Sequence, residues 1–198
     1  MTRLLQALFL LLLVGCGNHH PSSVPRPIRA GDLLFHVVDE DNAITDVTPG
    51  KIDHVAIVIS DDSILEAVPN GGVHIALVDS LLAQDGYWLQ ARVDNVDVVQ
   101  SIANARRYLG LPYDSLYLAD NDAIYCSELV EFAYVDRQGH RLFQPIPMSF
   151  HDESGMILPY WIDFYRRNGM TVPEGQPGTN PGELSQRKLV KIIGIQKR

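Results

Sequence analysis

Cysteine is nearly absent from this chain: two in 198 residues, Cys16 and Cys126. Two sulfurs cannot supply a four-cysteine zinc site, and no H-E-x-x-H run offers a compact metal-binding histidine pair. Basic residues are also short, 16 Lys and Arg against 24 Asp and Glu, for a net charge of −8. A polyanion needs a positive surface to neutralise its phosphates, so the balance argues against nucleic acid as a general partner. The bases that do cluster (Arg187, Lys188, Lys191, Lys197, Arg198) read as a solvated C-terminal edge. No internal repeat occurs, and no apolar run approaches the roughly 20 residues of a membrane-spanning helix. What is present is 46% apolar and 20% charged. That is too apolar for a disordered chain and suits one ordinary domain.

The longest apolar run, Leu8-Phe9-Leu10-Leu11-Leu12-Leu13-Val14, follows Arg3 and has the length of a signal-peptide core. It ends in Leu13-Val14-Gly15-Cys16, which resembles a bacterial lipobox. The expectation is an export signal over residues 1–15, cleaved to leave Cys16 lipidated. Several acyl chains on one residue make a stable membrane anchor where a single chain does not. Residues 16–29, with three prolines and little apolar content, read as the tether, and His19 and His20 as solvated linker residues. The folded domain is then residues 30–198, lipid-anchored in the cell envelope. Gly17 in place of aspartate implies, by resemblance to other lipoproteins, the outer membrane facing the periplasm where two membranes exist. With Cys16 lipidated, Cys126 has no partner for a disulfide and is either buried and inert or reactive.

Along the domain, residues 33–38, 54–60, 64–68, 73–78 and 87–93 read as strands, β-branched or alternating and separated by turn residues. A short helical stretch is expected near Asp79. Longer helices are expected over 96–109 with Gly110 as the stop, 123–135 with Asp122 as N-cap, and 159–168 closed by Gly169. Residues 111–122 and 171–186 read as loops and 189–195 as an edge strand. Helices segregated from a run of antiparallel strands indicate an α+β domain.

Three side chains carry candidate chemistry. Cys126 falls in the first turn of the expected cysteine helix, where unpaired N–H groups favour a thiolate and can join an oxyanion hole. Glu128 opposes that effect, and placement alone leaves a catalytic and a core role equally open. His54 follows a polar loop at the start of a strand, at the rim of the sheet where a base can be both fixed and accessible. His74 reads as surface, His36 as mid-strand, and His140 and His151 as loop residues. Glu66 sits in an otherwise apolar strand and needs a partner, because an unpaired buried carboxylate costs several kcal/mol. An imidazole would serve. A three-residue turn at 61–63, however, sets Glu66 opposite Val58, four positions from His54 and out of reach at about 3.3 Å per residue, so that contact requires a bulge or a shifted register. A metal site of His54, Glu66 and His74 is the weaker rival reading.

His54-Val55-Ala56-Ile57-Val58-Ile59, Leu65-Glu66-Ala67 and Tyr125-Cys126-Ser127-Glu128-Leu129-Val130, with Gly31-Asp32-Leu33-Leu34-Phe35 and Gly110-Leu111-Pro112-Tyr113-Asp114, resemble the NlpC-like papain-fold cysteine hydrolases. Because His54 precedes Cys126, the chain resembles the circularly permuted branch (YiiX/YebB/YaeF type), some members of which are lipoproteins. The resemblance implies a permuted papain-like fold with an antiparallel sheet packed against the cysteine helix. It implies Cys126 as nucleophile, His54 as general base and Glu66 as the residue orienting it, with no cofactor. Tyr113 and Ser127 are implied at the oxyanion and substrate-positioning site, and Asp32 as a structural residue fixing the loop beneath it. Relatives with Asp-Cys-Ser-Gly use the aspartate to receive a free substrate amine. Tyr125 and Glu128 flank the cysteine here, which weighs against a free-amine muropeptide. The expected activity is cleavage of an amide or ester in cell-wall peptides or lipid-linked acyl groups. The rival from another class is a non-catalytic envelope lipoprotein that uses the fold to bind a ligand.

Overall fold

The computed structural model describes residues 26–197 apart from 39, 120 and 153. The expected signal, lipobox and Cys16 lie outside the described residues. The chain runs β1 (Leu33–Val37), β2 (Ile52–Val58), β3 (Ser63–Val68), β4 (Gly72–Leu77), α1 (Val78–Leu82), β5 (Tyr87–Val93), α2 (Val98–Arg106) and α3 (Cys126–Ala133). It continues through β6 (Ile146–Pro147), α4 (Pro159–Arg167), β7 (Pro177–Gly178), α5 (Pro181–Ser185) and β8 (Val190–Gln196). Six strands form one antiparallel sheet in the order β4-β3-β2-β1-β5-β8, and β6 pairs with β7. This is the expected α+β architecture.

Strand alternation sorts the apolar side chains onto two faces. Leu33, Phe35, Val55, Ile57, Leu65 and Ala67 pack in one cluster with Leu129, Val130 and Ala133 of α3. Leu34, Ala56, Val58, Ile64 and Trp88 pack with Val78 and Leu81 of α1. Both faces are therefore covered, which is why β2 and β3 read as continuous apolar runs. A third cluster, Met148, Phe150, Trp161 and Tyr165, comes from the C-terminal third of the chain, where the sequence offered no motif.

Several boundaries differ from expectation. The cysteine helix begins at Cys126, capped by Tyr125 with no side-chain hydrogen bond, and not after Asp122. Residue 124 is held extended: the Ile124 N–H donates to the Pro112 carbonyl and the Asp114 N–H to the Ile124 carbonyl, so a helix cannot start there. Helix α2 ends at Arg106, ahead of Gly110, and the expected 171–186 loop contains β7 and α5. Residues 26–29, expected as the end of a tether, pack on the domain. Gln196 Nε2 donates to the Arg26 carbonyl at 2.7 Å and Gln90 Nε2 to the Pro27 carbonyl at 3.1 Å, while Ile28 packs on the second face of the sheet. Two largely buried amides need acceptors, and residues 26–29 supply them.

Candidate active site

The register of β2 and β3 decides whether Glu66 reaches His54. Ile57 pairs with Leu65 and Val58 with Ile64, because the turn lies one residue earlier than the sequence suggested, over 60–62, with the Ile59 N–H donating to the Ser63 carbonyl. Continuing that register sets Glu66 across from Ala56, two positions from His54 and on its face. Diagonal neighbours at that spacing are within reach of long side chains. The contact is made: His54 Nε2 lies 2.6 Å from Glu66 Oε2. Of the two ways to close the expected four-position gap, the structure uses the shifted register and not a bulge. Glu66 is 5% exposed, and its second oxygen, Oε1, lies 3.6 Å from His74 Nε2 on β4. His74, expected at the surface, thus extends the row, since Glu66 and His74 are paired residues of β3 and β4.

The other side of the His54 ring meets Cys126 through a side-chain hydrogen bond. With Nε2 committed to Glu66, Nδ1 is the nitrogen left for the sulfur. Burial by itself would lower the imidazole pKa, but the bonds to Cys126 and Glu66 outweigh it and raise the value to about 10. Beneath the ring, Trp88 stands edge-on at 6.1 Å between centroids and is also tilted against His36 at 4.6 Å. His36 is fixed at both nitrogens, Nδ1 to Asp53 Oδ1 at 2.8 Å and Nε2 to the Asp85 carbonyl at 2.7 Å. Burial lowers its pKa too, yet these two bonds leave it raised. His36 pairs directly with His54 across β1 and β2.

Cys126 is 4% exposed and is both a member of the core and part of a cleft wall. As the first residue of α3 it stands among N–H groups that no side chain caps. The cleft encloses about 460 Å³, its open mouth included, and is walled chiefly by Ile44, Tyr113, Tyr117, Met148, Phe150 and Trp161. Ser127 also lines it, with a hydroxyl that is fully buried and has no hydrogen-bond partner. Tyr113 is held beside the start of α3 by its bridge to Ile124. Burial, and then the nearby Cys126, push its phenol pKa well above the ordinary value. The Tyr125 hydroxyl accepts the Thr179 N–H at 3.0 Å, tying the segment before α5 to the floor of the cleft. A second, more open cleft lies across the shared wall of Tyr113, Tyr117 and Trp161 and reaches His36, Asp53, His54 and Glu66.

Asp32 does not belong to this site. It accepts from Gln90 Nε2, Arg92 Nε and the Arg29 N–H at the start of β1. That is four positions from His36, or about 13 Å along the strand. Helix α3 spans the same interval, with Cys126 at the histidine end and the Tyr134 hydroxyl donating to the Gly31 carbonyl at the other. Asp32 fixes the far end of the sheet. Sequence reading missed His36, Asp53, Tyr117 and Trp161. Asp53 was legible only as the residue before His54 and Tyr117 only as a residue three positions past Asp114, whereas Trp161 lies far from any motif. Among the described residues no group of three or more His, Cys, Asp or Glu is arranged to hold a metal ion. His54 and Glu66 are bonded to each other.

Residues 27–193 match the family described as permuted papain-like amidase enzymes, YaeF/YiiX, C92. No curated protein matches. Among solved structures, the crystal structure of the metalloprotein YiiX from Escherichia coli O157:H7 superposes with a TM-score of 0.68 at 22% identity, covering 84% of this chain and 96% of that one. At that identity the likeness shows the fold, and the fold is the permuted papain-like one. The family match spans most of the domain, and on it the chain belongs to the C92 family of permuted papain-like amidases, a family of cysteine hydrolases.

Proposed function

We propose that this chain is a cysteine hydrolase of the bacterial cell envelope that cleaves an amide or ester through a thioester intermediate on Cys126. The observation that carries the reading is the His54 imidazole held between Cys126 and Glu66. The Cys126 sulfur attacks the carbonyl carbon. The oxyanion is met by the first N–H groups of α3 and by the Tyr113 hydroxyl. His54 then gives its proton to the departing amine or alcohol as the carbon–heteroatom bond breaks. In the second half His54 takes a proton from water, the hydroxide attacks the thioester, and the acid leaves as the sulfur departs. Glu66 keeps the ring oriented and stabilises its cationic form. Ser127 belongs to the first turn of α3 and contributes its N–H.

Between cell-wall peptides and lipid-linked acyl groups, the apolar wall of the Cys126 cleft supports a carbonyl that carries an apolar chain. Lipidated Cys16 would hold the enzyme at the membrane where such substrates lie. The test has two steps. Cys126 should be alkylated by iodoacetamide near neutral pH faster than a model thiol, and His54→Ala should abolish the difference. Envelope extract should then leave an acyl adduct on Cys126 whose mass names the substrate. Alkylation no faster than a free thiol would favour the non-catalytic binding protein instead.

A further inference from the structure

Tyr117 has φ 52°, in the left-handed region, as do only Lys51 and Asn95 among the described non-glycine residues. For a bulky aromatic this is a true outlier, and it persists only where the surroundings over-determine it. They do so here. Asp114 clamps both neighbours, accepting the Leu116 N–H at 2.8 Å and the Leu118 N–H at 2.6 Å. The Tyr165 hydroxyl donates to the Leu116 carbonyl at 2.9 Å. The Tyr117 ring is then wedged edge-on against Tyr125 at 5.3 Å, Trp161 at 5.8 Å and Tyr113 at 6.4 Å. Its phenol and that of Tyr113 stand close enough to perturb each other, and both rings line the cleft onto which Cys126 opens. A packing role alone would not need a strained backbone to bring one phenol to another.

We propose that Tyr117 is a positioning residue for acyl transfer: its hydroxyl donates to the Tyr113 oxygen and so aims the Tyr113 proton at the oxyanion formed beside Cys126. The inference rests on the hydrolase reading above. In the empty site either hydroxyl can donate to the other, but once an oxyanion accepts the Tyr113 proton only Tyr117 can be the donor of the pair. No proton changes owner. Burial raises both phenols above their ordinary value, Tyr117 to about 12, so both stay neutral through the working pH range.

The test compares two reactions of Cys126 in the full chain. Displacement on iodoacetamide forms no oxyanion, whereas acylation by p-nitrophenyl butyrate does, and its leaving group needs no proton from His54. Tyr113→Phe should slow the p-nitrophenolate burst about 100-fold, the usual effect of losing one oxyanion donor. Tyr117→Phe should slow it about 10-fold, and the double variant should be no slower than Tyr113→Phe. Alkylation should stay within about twofold throughout, since nothing in it calls on the pair. The inference is overturned if Tyr117→Phe acylates normally, if the two losses multiply, or if alkylation falls in parallel. Should Tyr117→Phe not fold, Asp114→Asn, which loosens the clamp and keeps both phenols, carries the same expectation. A wild-type protein that alkylates but shows no burst removes the hydrolase reading itself, and the role of Tyr117 with it.

Discussion

Replacing Glu66 by Gln tests the electrostatic centre of the site most directly. The substitution keeps shape and removes one charge, 2.6 Å from His54 Nε2. A hydrogen bond to a charged group contributes about 1.5–3 kcal/mol, and each pKa unit is about 1.4 kcal/mol. His54 should therefore fall by about 1–2 units from its value of about 10. Because the folded value lies above the ordinary 6.5, His54 binds its proton more tightly in the folded state. Its contribution to stability is complete below pH 6.5 and is lost as pH rises toward 10. In E66Q that contribution should be smaller than in the wild type and should vanish at lower pH. His36, whose pKa is also raised, adds a loss of the same sign in both proteins and largely cancels in their difference. The assay is the His54 imidazole titration by nitrogen-15 NMR, paired with urea midpoints from pH 6 to 10. An unmoved His54 midpoint in E66Q, or wild-type stability that climbs across that range relative to E66Q, would refute the reasoning.

Two further substitutions test placements that the sequence left open. Asp32→Ala removes one of the two acceptors of the buried Gln90 amide and the carboxylate partner of Arg92. It should cost about 2–3 kcal/mol in urea melts with the Cys126 alkylation rate unchanged, and slower alkylation would put Asp32 back at the site. Gly72 has φ +59°, and an added Cβ would stand 2.2 Å from the Leu111 carbonyl oxygen. Gly72→Ala should then cost more than about 1 kcal/mol by forcing β4 away from the segment that leads to Tyr113, and an unchanged melting midpoint would contradict that packing.

How much of this was legible beforehand depended on whether the information was local. The apolar runs of β2 and β3 and the Cys126 helix are written in neighbouring residues, so the fold class and the pair His54 and Cys126 follow from pattern and motif. Register is not written that way. Sliding the turn one residue earlier, from 61–63 to 60–62, shifts the register by two and carries Glu66 from opposite Val58 to opposite Ala56, turning an unreachable carboxylate into a bonded one. The packing of residues 26–29 was hidden for a related reason: they look like linker until Gln90 and Gln196, over 60 residues downstream, present donors that need the carbonyls of Arg26 and Pro27. The cleft is the extreme case. Its apolar wall unites Ile44, Tyr117, Met148, Phe150 and Trp161 from segments over a hundred residues apart. None has a telling neighbour, because what they share is a cavity and not a stretch of chain. The nucleophile and its base are therefore read from sequence, while what chooses the substrate becomes visible only once the chain has closed on itself.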